Sequence, residues 1–116
     1  MRSATASEFQ RGRVLEIEFT DFKPRITFQP DQCLTVQVVA GDNAGFADTV
    51  KYEAVWFSDS ILALSWRERI GSTVVHVLDL TSEEAYTLVS PPKGGFIRLQ
   101  GTYRWHDGAP AQRLAS

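Results

Sequence analysis

The sequence contains a single cysteine, Cys33, among its 116 residues. A disulfide within the chain is therefore excluded, and so are the zinc sites that need several cysteines. This composition is typical of a reducing compartment, so we expect the protein to be cytoplasmic. Only two histidines, His76 and His106, are present, and no metal-ligand spacing accompanies them. We predict no metal ion and no other cofactor.

An excess of charge of either sign is also missing, as are long hydrophobic runs. Twelve Lys and Arg residues face fourteen Asp and Glu residues, and the formal net charge is −2. Such a balance lacks the excess of positive charge that is typical of nucleic-acid-binding proteins. No stretch approaches the roughly 18 apolar residues of a membrane span, and residues 1–10 lack the apolar run of a secretory signal. We therefore expect neither nucleic acid nor a membrane as a partner.

Helical spacing of apolar residues is absent, and alternation with a period of two takes its place. The alternating apolar positions in the first half are Leu15, Ile17 and Phe19, then Ile26 and Phe28, then Leu34, Val36 and Val38. In the second half the pattern predicts strands near 49–56, 61–67, 73–80, 85–90 and 96–104. Turn residues occupy 20–24, 30–32 and 41–45 between the earlier strands. The sequence predicts an all-β protein of about eight short strands.

A chain of this length is one domain, and its short connections predict that consecutive strands pair. An antiparallel, up-and-down sheet of about eight strands hides its apolar face and its edges by closing into a barrel. The interior of such a barrel either fills with side chains or holds one small ligand. We predict a barrel over residues 11–105, with flexible tails at 1–10 and 106–116.

The segment 62–79 predicts a hairpin around a glycine. If residues 69–71 form a three-residue loop with Gly71 in the left-handed conformation, Glu68 pairs with Ser72 and Trp66 pairs with Val74. A loop of two or four residues would shift the pairing by one and split the apolar set between both faces. The three-residue loop is therefore favoured.

This register places polar side chains on the inner face of the barrel. That face carries Leu62, Leu64, Trp66, Glu68, Val74, His76 and Leu78. Buried polar groups need partners, so Glu68 and His76 are candidates for binding a ligand beside Trp66. The alternatives are a solvated carboxylate at the rim and a hydrogen-bonded core histidine. Tyr52 either adds a phenol to the same interior or is a packed aromatic.

In three segments the sequence resembles the MoaF-like domains, which are small bacterial calycin-like (lipocalin-like) β-barrels. The segments are 56–68, the Gly71 turn with 73–79, and 90–92 with 96–102. Overall the resemblance covers residues 14–105. It implies the barrel fold and a small-molecule pocket.

A more distant similarity is to the bacterial phenolic acid decarboxylases, which carry Ser-Trp-x-Glu before a glycine turn. Glu68 matches their catalytic glutamate by position. Those enzymes grip the substrate with tyrosines on the first strand and an arginine near the third-to-fourth strand connection. Here the first strand has Ile17 and Phe19, and the connection 44–48 has no arginine.

Our first functional hypothesis is a protein that binds a small apolar or aromatic molecule inside the barrel through Tyr52, Trp66, Glu68 and His76. The second is a small lyase or isomerase in which Glu68 is the general acid or base and His76 tunes it. The third is an interaction module, such as a homodimer, that uses a sheet edge or the exposed aromatic Phe57. The pattern does not determine whether Arg98 and Gln100 face the inside or the outside of the barrel.

Overall fold

The structure is a computed structural model that describes residues 1–3 and 13–107. These residues form nine strands: β1 (Arg2–Ser3), β2 (Arg13–Glu18), β3 (Phe22–Gln29), β4 (Cys33–Gly41), β5 (Ala47–Trp56), β6 (Ile61–Arg67), β7 (Thr73–Asp79), β8 (Glu84–Ser90) and β9 (Ile97–Asp107). Over the same residues, no helix of the length and apolarity needed to cross a membrane is present. Most of the two predicted flexible tails lies outside the described residues, so their flexibility stays a prediction.

Strands β2 to β9 form a closed, eight-stranded antiparallel barrel. Each strand pairs with the next along the chain, and β9 pairs back onto β2 from Arg13 opposite Asp107 to Glu18 opposite Thr102. The predicted up-and-down barrel is therefore confirmed. Strand β1 is an addition that the sequence did not predict, and it pairs with Val55 and Trp56 at the end of β5.

Alternating side chains of the strands fill the barrel. The side chains with less than 2% of their surface exposed are Phe28, Leu15, Ile17, Ile26, Leu34, Leu62, Leu64, Leu78 and Thr87. Since close packing of this kind leaves little free volume, the middle of the barrel is a filled core. Leu99 also faces inward, whereas Arg98 and Gln100 are exposed on the outer face.

Several strand boundaries differ from the sequence-based prediction, and two of the differences affect how the strands pair. The predicted turn at 20–24 is shorter, because β3 already begins at Phe22 and contains Pro24. The register shifts between Lys23 and Pro24, as expected for a residue that has no N–H to give to the ladder. The last strand extends to Asp107, since it pairs first with β8 and then with β2.

Alternate connections of an up-and-down barrel lie at the same end. The connections 42–46, 68–72 and 91–96 therefore share one end, which we call the Glu68 end. The connections 68–72 and 91–96 lie against each other. Gly71 is so close to Pro92 that a Cβ atom added to Gly71 would lie 2.9 Å from Cβ of Pro92. The candidate site lies just inside this end.

Candidate functional site

The hairpin of β6 and β7 has the predicted register. The Glu68 N–H donates to the Ser72 carbonyl over 2.8 Å, and the Gly71 N–H donates to the Glu68 carbonyl over 2.8 Å. Trp66 lies opposite Val74, and Gly71 has a φ of 101°. The three-residue loop thus places Trp66 and His76 on the inner face, with Glu68 at its edge.

Trp66 links the polar groups of the site. Its side chain is 5% exposed, and its indole Nε1–H donates to Oε2 of Glu68 over 3.2 Å. Its ring centroid lies 5.0 Å from that of His76, with the rings tilted by 52°. Among the described residues Glu68 and His76 share no direct hydrogen bond, so the indole connects them.

Glu68 is a half-buried carboxylate at the border between core and solvent. Burial raises its pKa, the Trp66 hydrogen bond lowers it, and the negative charge of Asp48 raises it again, with a net rise. Among the described residues, Trp66 gives the only side-chain hydrogen bond to this carboxylate. Glu68 can therefore still accept a hydrogen bond, and it gains a proton more readily than an ordinary glutamate.

His76 lies in the core with 3% of its surface exposed. Its Nδ1 lies 2.6 Å from Oγ1 of Thr87 on the neighbouring strand, and no second hydrogen bond of the ring is found among the described residues. Burial lowers its pKa to about 3. The imidazole is therefore uncharged near neutral pH, and it acts as a neutral hydrogen-bonding group.

Tyr52 is a packed aromatic beside the site. It is 3% exposed, lies opposite Trp66 in the β5–β6 pairing, and makes an edge contact with Phe28 at 5.4 Å between centroids. Burial, followed by the charge of Cys33, raises the pKa of its phenol. Tyr52 therefore supports the Trp66 ring from the neighbouring strand.

Asp48 is a residue of this site that the sequence analysis missed. Its side chain is 5% exposed and lies 3.6 Å from the Arg69 guanidinium, and its Oδ2 accepts the Arg69 backbone N–H over 2.8 Å. The predicted strand began at residue 49. Extending the alternation of Val50 and Tyr52 back by one step would have placed Asp48 on the inner face.

A second buried carboxylate lies on the outer face of the barrel. Oε2 of Glu16 accepts from Nε of Arg25 over 2.7 Å, and its Oε1 lies 3.3 Å from Nε2 of His106. Burial raises the pKa of Glu16, but the hydrogen bond from Arg25 and the positive charges of Arg25 and His106 outweigh this, so the pKa is lowered. The three residues tie β2, β3 and β9 together.

The described residues offer little for other ligand classes. Within residues 1–3 and 13–107, no group of three or more His, Cys, Asp or Glu side chains is arranged to hold a metal ion. A groove of about 690 Å³ runs along β5 and β6 and includes the exposed residues Lys51, Glu53 and Arg67. These three side chains point away from the core, but Tyr52 and Trp66 also line the groove, so it borders the candidate site.

The comparisons with known proteins agree with this fold. A crystal structure from Burkholderia vietnamiensis, of a protein described as "a putative beta-lactamase", superimposes with a TM-score of 0.78 at 23% identity and covers 83% of this chain and 94% of that chain. None of the curated proteins compared matches the sequence. The sequence profile of the MoaF-like family matches residues 11–104, which include every residue of the site. The chain belongs to the MoaF-like family.

Proposed function

We propose that this protein binds a small, mainly apolar or aromatic molecule at the Glu68 end of the barrel. The observation that carries the proposal is the half-buried Glu68 carboxylate, held by Trp66 at the edge of an apolar core and still able to accept a hydrogen bond. Ligand sites combine apolar walls with a few placed polar groups in this way. The Trp66 ring contacts the ligand, Glu68 orients it, and the neutral His76 lies behind the indole and supports it.

A thermal-shift screen tests the proposal. The purified protein is screened against aromatic acids, fatty acids, terpenoids and amines. A ligand at 100 times its Kd stabilises by about 2.7 kcal/mol, which raises the Tm of a domain of this size by roughly 4–8 °C. A flat screen across all four classes would contradict the proposal.

Variants then locate the site of any ligand found. We expect Trp66→Ala and Glu68→Gln to weaken binding by about tenfold or more, since each removes a contact worth about 1–2 kcal/mol. Trp66→Phe replaces Trp66→Ala if the smaller side chain prevents folding. Glu53→Gln is the matched control, because Glu53 is exposed on the same sheet. Unchanged affinity in both site variants would place the ligand elsewhere.

A proton-transfer enzyme is the second candidate, and the raised pKa of Glu68 favours it. A general acid or base works best when its pKa lies near the working pH. Once a ligand is identified, its ¹H NMR spectrum after incubation distinguishes the two functions, since the spectrum changes on isomerisation as well as on bond cleavage. New signals with the wild type and none with Glu68→Gln would establish catalysis, and an unchanged spectrum with both would support binding alone.

The description of the structural neighbour does not suggest a reaction for this protein, because a similarity at 23% identity supports a shared fold and no shared activity. One β-lactamase motif places serine and lysine three residues apart at the start of a helix. Ser90 and Lys93 have this spacing, but Ser90 ends β8 and both residues are exposed. This geometry does not support a serine β-lactamase site.

A further inference from the structure

Asp48 is buried at the Glu68 end although it belongs to a different hairpin. It lies near the start of β5, opposite Val36 of β4, and its side chain is 5% exposed. A carboxylate buried to this extent needs hydrogen bonds to offset the loss of water. Its partner is Arg69, which is 21 residues away in the sequence and directly follows Glu68.

Both oxygens of Asp48 face this one residue. Oδ2 accepts the backbone N–H of Arg69 over 2.8 Å, and Oδ1 lies 3.6 Å from the guanidinium. The guanidinium side chain is 81% exposed, so its ion pair with Asp48 is screened by water and contributes little. The backbone hydrogen bond is therefore the contact that holds the loop.

Glu68 is thus held on two sides. The Trp66 indole binds its carboxylate from within the barrel, and Asp48 fixes the peptide that follows it. We infer that Asp48 is a positioning residue of the site: its buried carboxylate anchors the loop that carries Glu68 and places a second negative charge beside it. The inference rests on the proposed function only in that Glu68 is taken to contact the ligand.

The charges around Glu68 support this role. Asp48 on β5 is the charged group that acts on the Glu68 carboxyl. The exposed Arg67 and Arg69 flank Glu68 in sequence, Asp42 and Lys93 lie in the other two connections of this end, and His76 on β7 is uncharged near neutral pH. Burial is the largest cause of the raised Glu68 pKa, and the Asp48 charge adds to it. Asp48 therefore influences both the position of Glu68 and its proton affinity.

The test measures these two effects separately, on the ligand-free protein. The Glu68 carboxyl is titrated by ¹³C NMR in the wild type, in Asp48→Asn and in Glu53→Gln. We expect a lower Glu68 pKa in Asp48→Asn, because the charge is lost, and no change in Glu53→Gln, where an exposed carboxylate is altered. Overlapping titration curves for the wild type and Asp48→Asn would overturn the inference.

Hydrogen exchange of the Arg69 amide measures the anchoring. In Asp48→Asn the amide oxygen can still accept the Arg69 N–H, so exchange stays slow. In Asp48→Ala the acceptor is lost, and we expect exchange about five- to tenfold faster. Equally slow exchange in Asp48→Ala would overturn the anchoring role. If Asp48→Ala does not fold, the titration in Asp48→Asn still decides the inference.

These measurements separate the inference from the proposed function. A flat ligand screen together with a lowered Glu68 pKa in Asp48→Asn rejects ligand binding and retains the role of Asp48. A ligand hit together with an unchanged Glu68 pKa in Asp48→Asn retains ligand binding and rejects the role of Asp48.

Discussion

His76 is a histidine that the barrel holds uncharged. The ring is 3% exposed, its Nδ1 lies 2.6 Å from the Thr87 hydroxyl, and within residues 1–3 and 13–107 burial alone accounts for its lowered pKa. Charging a ring in such surroundings is costly. Its role in the site is therefore that of a neutral donor or acceptor and not that of a cation.

The lowered His76 pKa makes the stability of the protein depend on pH. The unfolded chain takes up a proton near pH 6.5, whereas the folded chain does so only near pH 3. The free energy of unfolding therefore falls as the pH drops from about 6.5 towards 3, by at most about 1.4 kcal/mol per pH unit. Above about pH 7 the titration of His76 no longer changes the free energy of unfolding, because the ring is neutral in both the folded and the unfolded chain.

Urea unfolding of the wild type and of His76→Gln at pH 7.5, 6.0 and 5.0 checks this dependence. We expect the stability advantage of the wild type over His76→Gln to shrink below pH 6.5, because the variant lacks the titrating ring. As a direct control, the ¹⁵N signals of His76 should show no titration between pH 5 and 8. A difference in stability that is constant with pH would contradict the buried, uncharged state.

The hairpin of β6 and β7 is the element on which the site depends. Its bulged loop sets the register that directs Trp66 and His76 inward, and a slip by one residue would turn both outward. The loop requires Gly71, which has a φ of 101° and lies against Pro92 of the connection between β8 and β9. A side chain at position 71 would strain the backbone and would also clash with Pro92.

Gly71→Ala should therefore destabilise the protein by about 2 kcal/mol. Gly45→Ala is the matched control, since Gly45 has a similar φ of 98° but a Cβ there would meet no atom within 4 Å. We expect about 1 kcal/mol for the control, from strain alone. Equal losses in urea unfolding would show that the Pro92 contact is unimportant.

Closure of the barrel depends on β9, which pairs with β8 over its first part and with β2 over its second. The change of partner occurs at Gly101 and Thr102. A Cβ on Gly101 would overlap the Glu18 carbonyl oxygen and would lie 2.9 Å from Cδ1 of Phe19. Glycine is required here because β2 approaches closely, whatever the backbone conformation.

Gly101→Ala should cost about 3 kcal/mol or more, because a backbone contact can be relieved only by moving β2 or β9. Gln100→Ala, which changes an exposed residue next to it, should change the stability by less than about 0.5 kcal/mol. Thermal unfolding of the two variants checks this. A tolerated Gly101→Ala would mean that the barrel closes with more space than the structure has.

Local patterns in the sequence were enough to predict most of the fold. Alternation along 62–78 predicted the inner face, and the glycine of the loop predicted the pairing of Trp66 with Val74, which the structure confirms. Strand β1 could not be predicted, since two polar residues carry no periodicity. The closed barrel implied that the first and last strands pair, but the register of β2 on β9 could not be predicted, because it depends on how the whole sheet closes.

The site was predicted in part for the same reason. Trp66, Glu68 and His76 belong to one hairpin, so alternation and turn chemistry were sufficient to place them together. Asp48 and Thr87 reach the site from β5 and β8 through contacts 21 and 11 residues away in sequence. The pairing of these consecutive strands was predicted, but the register of β5 on β6 and of β7 on β8 was not, and that register decides which side chains meet.

The sequence by itself thus determined the all-β class, the strand faces and the hairpin at the Glu68 end, because these follow from alternation and turn residues over short distances. Only the tertiary structure decided which groups surround Glu68, how far His76 is removed from water, and that Arg98 and Gln100 face outward. Each of these depends on the strand registers and on barrel closure, which together decide which side chains meet and how far water is excluded. The proton affinities of the site are consequently a property of the closed barrel.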